Sequence, residues 1–352
     1  MKSLRSAQGD IRRRTVILGG LGAAVLVGVP AAVLASDTSD GTPSTTRKNP
    51  AAAPKTGMLL ATLGSDTEIL SVAFSPDGKT VATTGDDDGN VRLWDAATGR
   101  RVSTLTGYTP RRLNSIAFSP DGRALAAGGE SGVVQLWETS TGHSAATCTV
   151  ANRGAHILSV AFSPDGKTLA AGDTDTQVQL WDVATGRGTA TLAHPVDYPF
   201  INSVAFSPDG TTLAVAGDSG VKLWDAATGK TTVTLIGSTG QAASSVAFSP
   251  DGSTLAVANG SAFLWDVATG QFTAGLSSDI HQGVTVVAFS PDGKTLAVGS
   301  KYGKATQWNV ATGENTPTLV RPAISAPMAF SPDGRTLAAF SSAANNVQLW
   351  SV

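Results

Sequence analysis

The tetrapeptide Ser-Pro-Asp-Gly occurs seven times in this chain of 352 residues, and its spacing constrains the fold more than any other feature. Successive copies begin 41 to 44 residues apart, and each copy directly follows a phenylalanine. The copies begin at Ser75, Ser119, Ser163, Ser207, Ser249, Ser290 and Ser331. A period of this length is typical of a chain built from one repeated structural unit, so we expect a repeat architecture rather than two unrelated domains.

A tryptophan marks the second half of every unit. The seven tryptophans of the chain each lie some sixteen to twenty residues after a Ser-Pro-Asp-Gly, and five of them stand in Leu-Trp-Asp or Leu-Trp-Glu. They are Trp94, Trp137, Trp181, Trp224, Trp265, Trp308 and Trp350. We interpret all seven as structural residues of a repeated apolar core rather than as an aromatic ligand cage.

Short apolar segments separated by turn residues predict four strands in each unit. The segment before the tetrapeptide, such as 71–74, alternates and places Val and Phe on one face. Ser-Pro-Asp-Gly then forms a tight hairpin, because Pro fixes φ and Gly can adopt the left-handed conformation. The second strand, such as 212–216, is apolar without alternation, as expected for a strand covered on both faces. The third strand carries the Trp, and the fourth follows a Thr-Gly turn such as that at Gly99.

The fourth strand of the last unit has to come from elsewhere in the chain. The seventh unit stops at Val352, two residues after its Trp, whereas residues 57–63 match the fourth-strand pattern but precede the first unit. We therefore expect Leu59 to Leu63 to complete the last unit, so that the ring closes with strands from both termini and no long edge stays open.

Repeats of this length with Ser-Pro-Asp-Gly and Leu-Trp-Asp resemble the WD-repeat family. The resemblance covers residues 57–352. It implies an all-β fold, a seven-bladed β-propeller whose blades are four-stranded antiparallel sheets. A propeller of this kind hosts many unrelated activities, so the resemblance specifies the fold far better than the function.

The chain departs from the family pattern at the buried tetrad. In the family, a Gly-His pair before the first strand and an Asp between the second and third strands form hydrogen bonds with the Trp and a Ser or Thr. No unit here has the Gly-His pair. The Asp is matched by Asp88, Asp175 and Asp218, while other units have Ser131, Asn259, Tyr302 and Ala344. We expect apolar packing to stabilise the blades instead, with each indole N–H bonded to another acceptor or to water.

The first 35 residues have the pattern of a targeting segment. Three arginines, Arg12 to Arg14, precede an uncharged apolar run of 20 residues from Val16 to Ala35. This pattern predicts an export signal, loosely similar to a twin-arginine signal and cleaved after Ala35. A run of this length can also span a bilayer, so an uncleaved membrane anchor at residues 15–35 is the alternative.

In either case the positive flank stays in the cytoplasm and the rest of the chain is exported, to be secreted or anchored at the cell surface. Residues 36–56 are rich in Ser, Thr, Pro and Ala and predict a flexible linker.

Charge and cysteine content exclude two classes of function. Beyond residue 35 the chain has 20 basic and 26 acidic residues, a net charge of −6, so nucleic acid is not an expected partner. Cys148 is the single cysteine, which excludes an intrachain disulfide and a cysteine-based metal cluster. Its strand-like context predicts a small buried side chain rather than a reactive thiol.

The four connections of each unit predict two different faces. The Ser-Pro-Asp-Gly and Asp-Ala/Val-Ala-Thr-Gly turns are nearly identical among the units that have them and lie at one end of the strands, which we call the uniform face. The connections into the first strand and between the second and third strands differ, and they form the varied face at the opposite end. A varied surface can select one asymmetric partner, and Tyr and Arg dominate binding hot spots. Our candidate partner-binding residues are Tyr108, Arg111, Arg112, Arg153, His156, His194, Tyr198, Phe200, His281 and Tyr302. The alternative is that they belong to ordinary solvated loops.

Metal binding has weak support in the sequence. Asp86 and Asp88 offer oxygen ligands of the kind that calcium prefers, but Asp-Gly-Asn turns are common in hairpins and no Glu stands at calcium-loop spacing. The histidines of the varied face belong to different units and have no recognisable carboxylate companion, so they do not predict a zinc or copper site. We expect no cofactor.

Catalysis is equally unsupported, because the chain has no Gly-x-Ser-x-Gly elbow, no phosphate-binding glycine loop and no acidic pair placed for acid–base chemistry. The sequence therefore predicts an exported, monomeric scaffold that binds a protein or peptide through its varied face. The alternative is a propeller-type hydrolase or lactonase with a site at the mouth of the channel.

Overall fold

The computed structural model describes residues 56–65, 68–85, 88–107, 111–150, 152, 154–193, 200–218, 220–235, 242–276, 283–300, 305–316 and 324–352. Within these ranges the chain forms 28 β-strands arranged in seven four-stranded antiparallel sheets. None of the described residues lies in a helix long and apolar enough to cross a membrane. The segments 1–35 and 36–56, on which the predictions of a signal or anchor and of a linker rest, lie outside the described residues, except for Thr56.

Blades 1 to 6 each contain four consecutive strands, and the strands of blade 7 come from both ends of the chain. In chain order the strands are β1 (Leu59–Gly64), β2 (Ile69–Phe74), β3 (Thr80–Gly85), β4 (Val91–Asp95), β5 (Arg101–Leu105), β6 (Leu113–Phe118), β7 (Ala124–Gly129), β8 (Val133–Glu138), β9 (Ser144–Thr149), β10 (Ile157–Phe162), β11 (Thr168–Asp173), β12 (Gln177–Asp182), β13 (Gly188–Ala193), β14 (Ile201–Phe206), β15 (Thr212–Gly217), β16 (Gly220–Asp225), β17 (Lys230–Leu235), β18 (Ser245–Phe248), β19 (Thr254–Asn259), β20 (Ser261–Asp266), β21 (Phe272–Leu276), β22 (Val284–Phe289), β23 (Thr295–Ser300), β24 (Ala305–Asn309), β25 (Asn315–Thr316), β26 (Ile324–Phe330), β27 (Thr336–Ser341) and β28 (Asn346–Ser351). Blade 1 is β2 to β5, and the blades follow in order around the ring.

The seventh sheet confirms the predicted closure. Its strand order is β1-β28-β27-β26, so the first strand of the chain completes the blade formed by the last three. Leu59 pairs with Trp350 and Leu63 with Val347. Leu63 is fully buried in a cluster that contains Val347 and residues of blade 1. The closing strand therefore joins the first and last blades through both backbone pairing and apolar packing.

The first strand of every blade lies at the centre of the molecule. Each of these inner strands contacts the inner strand of the next blade, and β26 contacts β2, so the seven strands form a closed ring. All six residues of β2 are buried, although its alternating pattern places Val72 and Phe74 on one face. Both faces are covered because each blade packs between two others, and Ser71 and Ala73 lie within that packing.

Buried serines connect consecutive inner strands. The Oγ of Ser115 accepts a hydrogen bond from the backbone N–H of Val160 in the next blade, at 3.0 Å. An inner strand pairs with another strand on one side only. The buried N–H groups on its unpaired side therefore need another acceptor, such as these serine hydroxyls. The same bond, at 3.0 to 3.4 Å, is made by Ser71, Ser115, Ser159, Ser203 and Ser245. Blades 6 and 7 have Val286 and Pro327 at this position.

Replacing Ser115 with alanine should lower the free energy of unfolding by about 1 to 3 kcal/mol, because the N–H of Val160 would stay buried without an acceptor. Ser103→Ala on the exposed outer strand β5 is the matched control and should change stability by less than about 0.5 kcal/mol. Urea denaturation followed by circular dichroism measures both values. Equal losses for the two variants would show that the inter-blade bond does not stabilise the ring.

The Ser-Pro-Asp-Gly turns repeat the same hydrogen bonds in every blade. In blade 1, the Ser75 hydroxyl donates to Asp77 Oδ1 at 2.6 Å and accepts from the N–H of Thr80 at 2.9 Å. Gly78 has a φ of 70°, which explains the glycine. The bond from Ser75 is the main reason why the pKa of Asp77 lies below its usual range. These serine and aspartate side chains are thus engaged within their own turns.

Candidate functional site

The varied face carries a row of equivalent side chains at the ends of neighbouring inner strands. Arg112, His156 and Phe200 directly precede β6, β10 and β14, the inner strands of blades 2, 3 and 4. The backbone carbonyl of each accepts a hydrogen bond from the connection between the second and third strands of its own blade. The donors are the N–H groups of Glu130 at 3.0 Å, Thr174 at 3.0 Å and Asp218 at 3.3 Å. Three of the predicted residues therefore occupy one structural position in three consecutive blades.

Glu68 occupies the same position in blade 1, directly before β2. It was not among the predicted residues, although its fixed offset of six residues before Phe74 could have identified it. A guanidinium nitrogen of Arg112 lies 3.5 Å from a carboxylate oxygen of Glu68. This contact shows that side chains at this position reach across to the next blade. We call Glu68, Arg112, His156 and Phe200 the mouth quartet, because the inner strands surround the central axis.

The mouth is asymmetric around that axis. Six residues before the repeat phenylalanine, blades 1 to 4 have the charged, imidazole and aromatic side chains of the mouth quartet. Blades 5 and 6 have Ala242 and Gly283 at the equivalent place. The rim at blades 1 to 4 therefore offers hydrogen-bonding and aromatic groups, whereas at blades 5 and 6 it offers small residues. Arg112, His156 and Phe200 are only partly exposed, which suits side chains that a ligand can cover.

A second layer of polar side chains holds the blades together beneath the mouth quartet. Asn114 donates to the carbonyl of Ile157 in the next blade, at 2.8 Å. Asn202 donates to the carbonyl of Ala243, at 3.1 Å, and to Oδ1 of Asp218, at 3.2 Å. The sequence patterns did not reveal these bonds, because each side chain contacts a residue some 40 positions away. They fix the relative positions of the inner strands that carry the quartet.

The three aspartates that match the family tetrad have other partners here. Asp88 forms an ion pair with Arg92, Asp175 accepts a hydrogen bond from Asn152, and Asp218 accepts the bond from Asn202. All three lie on the varied face, in the connections between second and third strands. Without the histidine of the family pattern, these carboxylates stabilise the connections of the varied face rather than the blade interior.

Among the other predicted residues, Arg111 is exposed next to Arg112. The remaining partner-binding candidates and one metal candidate lie outside the described residues. They are Tyr108, Arg153, His194, Tyr198, His281, Tyr302 and Asp86. The described residues contain no group of three or more His, Cys, Asp or Glu side chains that could hold a metal ion. The quartet itself combines a carboxylate, a guanidinium group, an imidazole and an aromatic ring, which offer charge, hydrogen bonds and an apolar surface to a ligand.

Asp173 is a buried carboxylate at the varied end of β11 that the sequence patterns did not single out. It is 2% exposed, and its Oδ1 accepts hydrogen bonds from the N–H groups of Asp175, at 2.8 Å, and Gln177, at 3.0 Å. Burial raises the pKa of Asp173 above its ordinary value, and the nearby charge of Asp175 adds to this. Asn259, which the sequence patterns aligned with Asp175, instead occupies the position of Asp173 in blade 5 and is also buried.

We expect Asp173→Asn to stabilise the protein at neutral pH by about 1 kcal/mol or less. The amide oxygen of asparagine can accept both hydrogen bonds, and the substitution removes a buried charge. A raised pKa means that the stability due to protonated Asp173 is present in full below the ordinary pKa of 3.8 and is lost as the pH rises through the folded-state pKa. The advantage of the variant should therefore disappear at acidic pH. Unfolding free energies measured from pH 3 to pH 7 test this, and a constant difference would refute it.

The tryptophans lie in the third strands, which pair with the fourth strands of their blades. Five of them are 1% to 6% exposed, while Trp265 and Trp350 are half-buried. Trp94 donates its indole N–H to the Thr83 hydroxyl at 2.8 Å, and Trp137 donates to the carbonyl of Thr106 at 3.3 Å. Trp308 donates to Thr306 Oγ1 at 3.2 Å. The indole nitrogens of Trp224 and Trp350 have no acceptor among the described residues.

Cys148 is buried at 2% exposure in the outer strand β9. Burial raises the pKa of its thiol to about 11, so the thiol stays protonated at neutral pH. This environment suits a packed side chain and suppresses nucleophilic reactivity.

Comparison with known proteins agrees with this geometry. The family model of the WD domain, G-beta repeat, matches residues 57–95 and 276–309. The model of the N-terminal domain of nucleolar protein 10-like proteins, a β-propeller, matches residues 96–264 between them. The chain is a WD-repeat β-propeller. WD-repeat propellers generally mediate protein–protein interactions and are typically scaffolds without catalytic activity.

Two curated proteins share short segments with this WD-repeat propeller. An uncharacterized WD repeat-containing protein of Nostoc sp. is 58% identical over 40 residues, which are 11% of this chain and 3% of that protein. Protein tipD of Dictyostelium discoideum is 31% identical over 90 residues, which are 24% of this chain and 13% of that protein. The matched segments are thus a small part of either relative.

Proposed function

We propose that this WD-repeat propeller is an extracytoplasmic scaffold that binds a protein or peptide through its varied face, with the mouth quartet at the centre of the binding surface. The observation that carries the proposal is the asymmetry of the mouth, where four blades contribute Glu68, Arg112, His156 and Phe200 and blades 5 and 6 contribute Ala242 and Gly283. A partner that docks there meets a surface with a defined orientation around the axis.

The chemistry of the quartet suits a peptide segment. Phe200 offers an aromatic surface, and Arg112 offers planar hydrogen-bond donors, the residue types that contribute most to protein interfaces. Arg112 is 21% exposed and already paired with Glu68, so a carboxylate of the partner can replace or share that pair. A segment with an acidic side chain beside an apolar one would engage both groups together.

The uniform face lacks such a feature. Its seven Ser-Pro-Asp-Gly turns have the same internal bonds, with the serine hydroxyl on the aspartate in each. A partner would find nearly the same surface at seven rotations, which gives little specificity. The export pattern of residues 1–35 supports a location outside the cytoplasm.

Opposite-face variants test this proposal. Arg112→Glu and Phe200→Ala should each weaken capture of the partner from an envelope fraction by at least about tenfold. Arg123→Glu makes the same charge change in the same blade, but at an exposed site on the uniform face, and should leave capture unchanged. Thermal melting of each variant confirms that the propeller is intact. Undiminished capture by both varied-face variants, or equal loss in Arg123→Glu, would contradict the proposal.

A further inference from the structure

Exposed apolar side chains concentrate where the ring closes. Among the described residues, the exposed large apolar side chains are Met58, Leu59, Leu60, Val102 and Phe272, which are 43% to 67% exposed. Four of these five lie in or directly before β1 and β5, the outer strands of blades 7 and 1. These two blades are neighbours in the ring, so the four side chains share one region of the outer wall.

Blades 7 and 1 differ from the other blades in the residue at one position of the outer strand. In six of the seven outer strands the pairing skips one residue opposite the Trp or the Leu before it, and this bulge residue is exposed, whereas the described part of β25 in blade 6 pairs without a skip. The bulge residues of blades 7, 1, 2, 3, 4 and 5 are Leu60, Val102, Ala145, Thr189, Thr232 and Thr273. Blades 2 to 5 thus have small or hydroxylated residues, as an aqueous surface favours. Among these six blades, the two at the closure are the ones with large apolar residues there.

Positive charge accompanies the apolar side chains. Arg100 and Arg101 are exposed directly before Val102, and neither forms an ion pair with any described residue. The turn before them packs on β1, because a Cβ at Gly99 would lie 3.1 Å from the Cβ of Ala61. The two strands therefore form one continuous surface. We call Met58, Leu59, Leu60, Arg100, Arg101 and Val102 the closure patch.

We propose that the closure patch docks on an anionic lipid surface. This inference rests on the extracytoplasmic location proposed above and on the membrane anchor predicted as the alternative for residues 15–35. Aliphatic side chains beside exposed arginines match the boundary between acyl chains and phosphate headgroups, because the aliphatic side chains enter the apolar layer while guanidinium groups bind phosphate. A protein partner would more often be recognised by aromatic anchors, which the patch lacks.

The position of the patch along the chain supports this occupant. The apolar run that ends at Ala35 is followed by the predicted linker 36–56, which has 21 residues. A flexible chain of that length has an end-to-end distance of about 25 Å. The chain then enters the propeller at Met58, inside the patch. An anchor in the bilayer would thus hold this part of the wall close to the membrane surface.

Docking there also orients the molecule. Met58 and Arg101 lie at the starts of β1 and β5, next to the turns of the uniform face. The mouth quartet lies at the other end of the strands. Lipid contact at the closure patch would therefore leave the varied face turned away from the bilayer and accessible to a partner.

A fluorescent label can report this contact in the full-length chain. Val102→Cys carries an environment-sensitive fluorophore, and Thr189→Cys, the bulge residue of blade 3, is the matched control. Cys148 stays unlabelled because it is buried and its pKa is raised to about 11. The chain is reconstituted into vesicles of phosphatidylcholine and phosphatidylglycerol, with and without brominated lipid. We expect a blue shift and quenching by brominated lipid at position 102 only, and their loss in an Arg100→Glu, Arg101→Glu background.

Each other outcome rejects the inference. If the chain floats with the vesicles while position 102 stays in water, the lipid contact is wrong and the membrane location stands. If the chain does not float, the location fails and the inference fails with it. A shift at position 102 without vesicles would show that the patch binds a second copy of the chain. Equal shifts at both positions would show contact without orientation. None of these results bears on capture of a partner by the varied face.

Discussion

Trp181→Ala should lower the free energy of unfolding by about 3 to 5 kcal/mol, one of the largest effects expected for a single substitution in this protein. Trp181 is 2% exposed and packs in the core cluster shared by blades 1 to 3. Alanine would leave a cavity that the surrounding strands cannot fill, because their backbones are fixed by pairing on both sides. The loss combines the transfer of a large apolar side chain with the cost of that cavity.

The half-buried Trp265 provides the matched control for this prediction. Its ring meets Phe272 edge-to-face, with 5.7 Å between centroids, at the outer surface of blade 5. Trp265→Ala should cost clearly less than Trp181→Ala, since more of its surface is already in water. Urea denaturation of both variants gives the comparison. A loss below about 1 kcal/mol for Trp181→Ala would show that this side chain is not part of the core.

Leu63→Ala should lower the free energy of unfolding by about 2 to 5 kcal/mol, although Leu63 lies close to the start of the propeller. The side chain is fully buried in the cluster that joins β1 to Val347 and Leu349 of the last strand and to Ile69 of blade 1. Truncation would weaken the contact that closes the ring. In a closed propeller this affects blades 7 and 1 together.

Leu59→Ala in the same strand separates ring closure from a general effect of the segment. Leu59 is 47% exposed, so its truncation should change stability by about 0.5 kcal/mol or less. Chemical denaturation of the two variants measures the difference. If both cost the same small amount, β1 would not complete blade 7 in solution.

The number of blades and the closure of the ring could be predicted from the sequence because both follow from local patterns that recur. A Pro-Asp-Gly turn forces a hairpin wherever it occurs, and the Trp of each unit marks the third strand. The absence of a fourth strand after Trp350 left residues 57–63 as the segment that could complete the blade, and the structure confirms this pairing.

The composition of the site depends on contacts between blades, which sequence patterns do not show. Arg112 and His156 were candidates for their residue type, but their equivalence with Glu68 follows from the ring of inner strands. Asp173 stands where other blades have Gly, Asn or Ser, so no pattern indicated a buried carboxylate. The exposure of Leu60 results from a bulge whose register is visible only in the paired strands.

The fourth strand of blade 6 is described only in part. The pattern predicts a strand over 314–319, whereas the described strand β25 is Asn315–Thr316 and residues 317–319 lie outside the described ranges. The other fourth strands have a buried Leu or Cys as their last or second-last residue, as Leu105 is in blade 1.

Photo-crosslinking from the two faces in the cell is the most direct test of the central claim that the varied face binds the partner. A photoreactive amino acid replaces Phe200 in the mouth quartet or Thr211, an exposed residue of the uniform face in the same blade. Our account predicts that one discrete protein is crosslinked from position 200 and not from position 211. Crosslinking of a discrete partner from position 211, with none from position 200, would contradict it.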